Sequence, residues 1–364
     1  MASIEDKIAE IEEEIEKTSY NKATQHHIGK LKAKLAKLRE DQLKRSSKGG
    51  RGYGFGIRKE GHATVVIMGY PSAGKSTLLN KLTNASSPVG AYDFTTIDVI
   101  PGMMEYKGVN IQLLDVPGII GGAAKGKGRG KEVLAVARIA DLIVLLSDVT
   151  RKNMVEEIIC ELEDAGVRVN KAPPNVTVRR TQGGGVHIFS NIKLTRINQE
   201  TAREIANAYG IHNAEISVRE NITDDELVDV FQGNRVYTPL LVVFNKIDAI
   251  DENALARLKA MYRNASFISA DADVGLEELR ERIFSSLGFM RIFMKPQGGK
   301  ADLEEPLVIK KDSSIRDVCE MLHKQFLEGF RYAVVWGKSV KHEGQRVGLS
   351  HVLADRDVAS IIKK

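Results

Sequence analysis

A chain of 364 residues, 43% of them hydrophobic, can bury two or three separate cores, and its formal net charge of +5 is modest enough that placement matters more than sum. The longest apolar runs, such as Leu142 to Leu146, fall far short of a bilayer and the start is charged from Glu5 onward, unlike a signal peptide, so a cytoplasmic protein away from membranes is expected. The two cysteines, Cys160 and Cys319, lie too far apart and too far from other ligand types to favour a disulfide framework or a zinc site, and both read as core residues.

In chain order, Ile4, Ile8, Ile11 and Ile15 recur every three or four residues among Glu12, Glu13, Glu14 and Glu16, the pattern of an amphipathic helix with an acidic outer face. Ile28, Leu31, Leu35 and Leu38 form a second stripe with a basic outer face of Lys30, Lys32, Lys34, Lys37 and Arg39. A break near Thr18-Ser19-Tyr20-Asn21 lets the two fold back as a helical hairpin with opposite charges facing each other. Such a hairpin can pair with itself or with a partner helix, and its basic face can contact RNA. Lys44 to Arg58 mixes Lys44, Arg45, Lys48, Arg51 and Arg58 with five glycines, Tyr53 and Phe55 and lacks periodicity. That composition suits phosphate attraction with base stacking, and equally a linker.

His62 to Met68 reads as a buried strand and Thr77-Leu78-Leu79-Asn80-Lys81-Leu82 as the start of a helix. Between them stands Gly69-Tyr70-Pro71-Ser72-Ala73-Gly74-Lys75-Ser76, the spacing of a phosphate-binding loop. Glycines let backbone N–H groups converge on phosphate oxygens, Lys75 can reach the β and γ phosphates, and Ser76 offers a hydroxyl to Mg²⁺. Chance supplies this pattern in about one chain of this length in a hundred, so a nucleoside triphosphate is the expected ligand. From here strands and helices should alternate, giving an α/β fold with a mostly parallel sheet and the ligand at the carboxyl ends of the strands.

Within Tyr92-Asp93-Phe94-Thr95-Thr96 a threonine can close over the γ-phosphate as a Mg²⁺ ligand. The apolar run Val109 to Leu114 ends in Asp115-Val116-Pro117-Gly118, where the acid can hold Mg²⁺ through water and the Gly118 N–H can sense the γ-phosphate. Leu240 to Phe244 ends in Asn245-Lys246-Ile247-Asp248. The Asp248 carboxylate can accept from both the N1–H and the N2 amine of guanine, a donor pair that adenine lacks. The Lys246 stem can cover the base, and Asn245 can tie this loop to the phosphate loop. Phe267-Ile268-Ser269-Ala270 ends a further strand, where a backbone N–H near Ala270 can reach the guanine O6.

These elements in this order resemble the GTPases of the Obg-related translation-factor class, and within it the developmentally regulated GTP-binding (DRG) family. The likeness is carried by residues 69–79, 91–96, 113–120, 126–130, 233–237 and 333–342, and spans nearly the whole chain. It implies a P-loop GTPase that turns GTP into GDP and phosphate, with Lys75, Thr96 and Gly118 serving catalysis. Gly69, Pro71, Ser72, Ala73, Gly74, Lys75, Ser76, Thr77, Asp115, Gly118, Asn245, Lys246, Asp248, Ser269 and Ala270 would hold the nucleotide. The Mg²⁺ ligands would be Ser76 and Thr96, rather than Thr95, with Asp115 behind them. Many GTPases carry a water-orienting glutamine after Asp-x-x-Gly; this chain has Ile119, then Ile120, so slow intrinsic hydrolysis is expected, with stimulation by a monovalent cation, the ribosome or a protein partner. The resemblance suggests K⁺, although Ser72 stands where K⁺-using relatives often carry asparagine. Gly121 to Lys131, with Lys125, Lys127, Arg129 and Lys131, reads as a second switch region.

Between Gly166 and Val236 the alternation is interrupted by Pro173-Pro174, short strands at Val176 to Arg180 and Val186 to Phe189, and helix-like stretches at Thr201 to Tyr209 and Asp224 to Phe231. This reads as an inserted α+β domain, and the family carries there a domain resembling the second domain of ribosomal protein S5. His187 is read as a strand residue without chemistry. After a last core helix, Leu276 to Leu287, strands at Arg291 to Met294, Leu307 to Ile309 and Ala333 to Trp336 and a helix at Ile315 to Phe326 suit a β-grasp module, which resembles the TGS domain. Lys338, Lys341, His342 and Arg346 make a candidate basic edge, and Trp336 is read as core. The expected division is residues 1–60 for the N-terminal helical hairpin and basic linker, 61–168 and 236–289 for the GTPase domain, 169–235 for the insertion and 290–364 for the TGS domain. The expected function is a monomeric GTP-driven switch with the ribosome and its RNA, and a regulatory protein of the kind the family uses, as partners. The alternative is a GTP-responsive RNA-binding or assembly scaffold.

Overall fold

The computed structural model describes residues 4–19, 24–47, 59–83, 99–116, 135–151 and 154–363. In chain order these form α1 (Ile4–Lys17), α2 (Gln25–Ser47), β1 (Ala63–Met68), α3 (Lys75–Leu82), β2 (Ile100–Tyr106), β3 (Val109–Asp115), β4 (Leu142–Asp148) and α4 (Met154–Asp164). Then come β5 (Val167–Val169), β6 (Val176–Arg180), β7 (Val186–Ser190), α5 (Gln199–Ala208), β8 (Ala214–Val218), α6 (Asp224–Gln232) and β9 (Val236–Thr238). The remainder comprises β10 (Leu240–Asn245), α7 (Glu252–Met261), β11 (Ser266–Phe267), α8 (Leu276–Ser286), β12 (Phe289–Met294), β13 (Leu307–Lys310), α9 (Ile315–Leu322), α10 (Lys324–Glu328), β14 (Phe330–Trp336), β15 (Gln345–Val347) and β16 (Val358–Lys363). Two compact units result, one within 1–56 and 166–237, the other within 57–165 and 238–364. Among the described residues no helix is long and apolar enough to cross a membrane.

The second unit is built on a six-stranded sheet of order β11-β10-β4-β1-β3-β2, parallel except for β2, which runs antiparallel to β3. All six residues of β1 are buried, as a central strand covered on both faces requires. Register decides which side chains meet at the carboxyl ends: Ile67 pairs with Asp115, and Asn245 with Asp148. On α4 the buried stripe is Val155, Ile158 and Leu162, at helical spacing. Cys160 therefore lies on the opposite side and is exposed, contrary to the core reading. Cys319 is buried, and burial pushes its thiol pKa up.

In the same unit a five-stranded sheet, order β13-β12-β16-β14-β15, closes over α9 with Ile292, Ile315, Val318, Ala333 and Val335 in its core. The expected helix at Ile315 to Phe326 is two helices, parted at His323, whose backbone is extended (φ 179°) and whose Nδ1 accepts the Gln325 N–H at 3.2 Å. Because Ala333 and Val335 face the core, the two-residue period of a strand turns Tyr332, Val334 and Trp336 to the other face. Trp336 is thus a half-buried outer-face residue with the Lys295 ammonium 4.3 Å from its ring centroid, not a core residue.

In the first unit β8 pairs antiparallel with β6 and parallel with β7, and the sheet shares a core with α5 and α6 made by Ile188, Ile205, Ile216 and Leu227. Asn198 caps α5 by accepting the Thr201 N–H at 2.7 Å, and Thr223 with Glu226 forms a capping box for α6. The hairpin forms as expected, with Ile11, Ile28 and Leu31 buried, Arg39 bonded to Glu12 at 2.7 Å and His27 to Glu14 at 2.9 Å. Its second helix also packs on α5 and α6. That contact uses a row of small residues, Gly29, Ala33 and Ala36; a Cβ on Gly29 would come within 2.6 Å of Thr201 Cγ2. Lys32 then reaches Asp225 at 2.7 Å, and Gln232 donates to the Ala36 carbonyl at 3.1 Å. Helix α2 continues to Ser47, so Lys44 and Arg45 are helical rather than irregular, while 48–58 lies outside the described residues.

The segment between β5 and β9 is held at its two ends by one carboxylate. Asp229 of α6, 5% exposed, accepts from Arg168 Nε and Nη2 at 2.6 and 2.7 Å and from Arg235 Nε at 2.8 Å. Replacing it by alanine leaves two largely buried guanidinium groups without this partner. Asp229→Ala is expected to destabilise the first unit by about 3–5 kcal/mol, read as a lower denaturation midpoint.

Candidate functional site

The site grows from the end of β1. Gly69 has φ +157°, and a Cβ there would collide with the Leu146 carbonyl oxygen, so the turn out of the central strand accepts only glycine. Ser72 (φ +66°) and Gly74 (φ +93°) complete the turn into α3, whose first turn has no side-chain cap. Its first-turn N–H groups and the positive end of the helix dipole are therefore left without a side-chain cap, a setting that favours an anion. Pro71 and Ser72 are exposed on the loop, Ala73 is buried beneath it, and Thr77 is half-buried one turn into the helix.

Lys75 and Asp115 bring opposite charges into this setting, 9% and 6% exposed. Lys75 Nζ donates to the carbonyls of Tyr70 at 3.1 Å and Gly69 at 3.3 Å, so the ammonium is held by the loop it serves. Burial lowers its pKa, against the opposing pull of Asp115. Burial raises the Asp115 pKa, against the Ser76 hydrogen bond and Lys75. Ser76 Oγ donates to Asp115 Oδ2 at 2.6 Å. Burial disfavours both charges, and an anion at Lys75 with a cation at Asp115 would relieve both. A hydroxyl beside a carboxylate, both hard oxygens, fits Mg²⁺.

The second loop is locked to the first. The Asn245 side chain, 2% exposed, donates through Nδ2 to the Ala73 carbonyl at 3.0 Å and accepts the Ala270 N–H at Oδ1, also 3.0 Å. The expected tie between loops is present. The Ala270 N–H is one of the Asn245 side chain's two backbone partners, because a buried amide needs a partner at each end. Ser269 is buried, and its Oγ accepts the Ala272 N–H at 3.3 Å. Lys246, in the left-handed region at φ +65°, donates to the Ser72 carbonyl and pairs with Asp148 Oδ2, both at 2.9 Å. Asp248 stands exposed in the short 3-10 turn Ile247–Ala249, its carboxylate open to a ligand. Thr96 and Gly118, with Thr95, Ile119, Ile120 and the 121–131 segment, lie outside the described residues.

Contacts with no counterpart in the sequence reading include Asp148, which accepts the Thr150 N–H at 2.9 Å and hydroxyl at 2.8 Å. Another is Tyr70, whose hydroxyl donates to Glu157 of α4 at 2.7 Å; burial, then that bond, pushes the phenol pKa up to about 12. Between loop and α4 lies a cavity of about 100 Å³ whose walls include Tyr70, Ser72, Asp148 and Lys246 but not Gly74, Lys75 or Ser76.

A glycine-turned phosphate loop at the edge of a parallel sheet, an acid at the tip of β3 and a guanine-type Asn-Lys-x-Asp loop locked to it define a P-loop GTPase. Family models agree along the chain: a 50S ribosome-binding GTPase over residues 64–180, the C-terminal region of that domain over 183–289, and a TGS domain over 290–363. The chain is 51% identical to an uncharacterized GTP-binding protein of Methanocaldococcus jannaschii over 99% of its length and 93% of that protein's. It is 44% identical to developmentally-regulated GTP-binding protein 2 of Homo sapiens, covering 99% of each, and 43% identical to ribosome-interacting GTPase 1 of Saccharomyces cerevisiae, covering 100% of each. The chain belongs to the family of developmentally-regulated GTP-binding proteins.

The closeness of the two loops makes one substitution diagnostic. A Cβ on Gly74 would strike Asn245 Nδ2 in a backbone conformation that alanine resists. Gly74→Ala is expected to weaken GTP binding at least about tenfold, by titration with a fluorescent GTP analogue.

Proposed function

We propose that this GTPase is a slow molecular switch acting on the ribosome in the cytoplasm, read out through its nucleotide loops and its C-terminal sheet. The observation that carries the guanine-switch reading is the Asn245 lock, which joins the phosphate loop to the loop bearing Asp248. In this reading Asp248 selects guanine, the amides at the start of α3 hold the phosphates, and Lys75 leaves its carbonyl partners for the β and γ phosphates. Ser76 and Asp115 would hold Mg²⁺, with Thr96 completing the set; when bound, the ion neutralises charge on the phosphates. Lys75 and Gly118 serve the transition state, and Ile119 cannot orient water, so hydrolysis depends on an outside stimulus such as K⁺, the ribosome or a regulatory protein.

Ribosome action is supported by the description of the matching model and by the name of the yeast relative. It is also supported by the outer face of the C-terminal sheet. There the Arg346 guanidinium lies 4.7 Å from the Tyr332 ring centroid, and Lys295 covers Trp336. Cations interleaved with half-buried rings on an open strand surface suit phosphates and unstacked bases. The same face favours the second reading, an RNA-binding scaffold in which turnover is incidental.

Three measurements test this. Asp248→Asn is expected to lower GTP affinity by at least ~100-fold while improving xanthosine triphosphate binding; equal GTP and ATP affinity in the unaltered protein would refute guanine selection. Ribosomes are expected to raise the hydrolysis rate at least about tenfold, whereas unchanged slow turnover with tight RNA binding favours the scaffold. Equal rates in K⁺ and Na⁺ would remove the cation from the proposal.

A further inference from the structure

Lys246 has a backbone conformation that residues with a Cβ adopt rarely, and such a residue stays there when its surroundings fasten it. It is fastened at the tip of its side chain, between the Ser72 carbonyl and Asp148. Asp148 is no loose surface acid. It ends β4 in register with Asn245 at the end of β10, and its side chain is 16% exposed. Its two oxygens have separate tasks: Oδ1 accepts the Thr150 N–H at 2.9 Å and the Thr150 hydroxyl at 2.8 Å, which leaves Oδ2 turned to the Lys246 ammonium. Burial alone would raise this carboxyl's pKa; the Thr150 and Lys246 contacts outweigh it and hold the group below the ordinary value, ionised at neutral pH.

We propose that Asp148 is a positioning residue for the purine: by pinning the Lys246 ammonium to the phosphate loop, it stretches the lysine's methylene stem into a fixed floor for the base. This deepens, and rests on, the guanine reading of Asp248. A lysine stem is apolar along its length and charged only at its end, so anchoring the end presents the stem as a flat packing surface. Released from Asp148, the ammonium keeps one carbonyl and regains rotamer freedom, and the floor has to be ordered again each time a base binds. The effect falls on the base and not on the phosphates, because the loop geometry at Gly69 and Gly74 is set by other atoms.

Asp148→Asn retains an oxygen for Thr150 and turns an amide toward Lys246, removing the clamp with little change of shape. Lys246→Met retains an apolar stem without the charge. The reading is the release rate of a fluorescent GDP analogue by stopped flow, together with calorimetric affinity for inorganic triphosphate. Asp148→Asn is expected to speed GDP release about tenfold, to leave inorganic triphosphate binding unchanged, and to add nothing in the Lys246→Met background. Unchanged release, independent effects in the double variant, or equal weakening of inorganic triphosphate would overturn the inference. Should Asp148→Asn not fold, Thr150→Val, which frees Asp148 without touching Lys246, is expected to speed release by about threefold, and unaltered release there overturns it likewise. Equal affinity of the unaltered protein for GDP and ADP overturns both the guanine reading and this inference; a retained guanine preference with unchanged release in the variants overturns this inference alone.

Discussion

The Asn245 carboxamide is the interaction on which the site depends. It lies buried with a donor end on Ala73 and an acceptor end on Ala270, so three loops that come off different strands share one planar group. In a low-dielectric setting each unmade bond costs about 1–3 kcal/mol, so the loops cannot drift apart singly. The choice of amide is chemical. An aspartate would set a second negative oxygen against the Ala73 carbonyl, and a leucine of similar size would leave both backbone groups without partners. The distance from Asp248 to the phosphate loop is therefore fixed by a side chain that need touch neither phosphate nor base.

What fixes that side chain is sheet register. β10 lies beside β4 and β4 beside β1, all parallel, so Asn245, Asp148 and Gly69 emerge at one edge. The nucleotide loops were legible in the sequence because each is a short pattern directly after an apolar run, and the α+β insert was legible from its short alternating strands and helix-like stretches where the core alternation breaks. Register was not legible, and with it went Asp148: a single acid ending Leu142 to Leu146 has no motif, and it gains meaning only when β10 is laid alongside. The α2 contact was missed for a different reason. Gly29, Ala33 and Ala36 carry almost no hydrophobic signal; their four-and-three spacing speaks of close approach between helices, whereas Ile28 and Leu31 form the apolar stripe that the periodicity marks.

Cys160 and Trp336 show the limit of reading hydrophobic character without phase. Both are residue types that favour interiors. Cys160 falls between Ile158 and Leu162 on the wrong side of a 3.6-residue period, and Trp336 falls one residue past Val335 on the wrong side of a two-residue period. Phase could have been read from their neighbours. The break at His323 could not, since neither glycine nor proline marks it and only the Gln325 N–H seeking the imidazole shows why the chain stops there.

The opposed fates of Lys75 and Asp115 reach beyond chemistry. Both are withdrawn from water and burial disfavours each in its ionised form, a cost that a ligand pairing with both would offset. Any ligand that binds only the native chain adds RT ln(1 + [L]/Kd) to its resistance to unfolding. A nucleotide held between these two groups therefore raises the denaturation midpoint of the polypeptide as its concentration climbs past Kd.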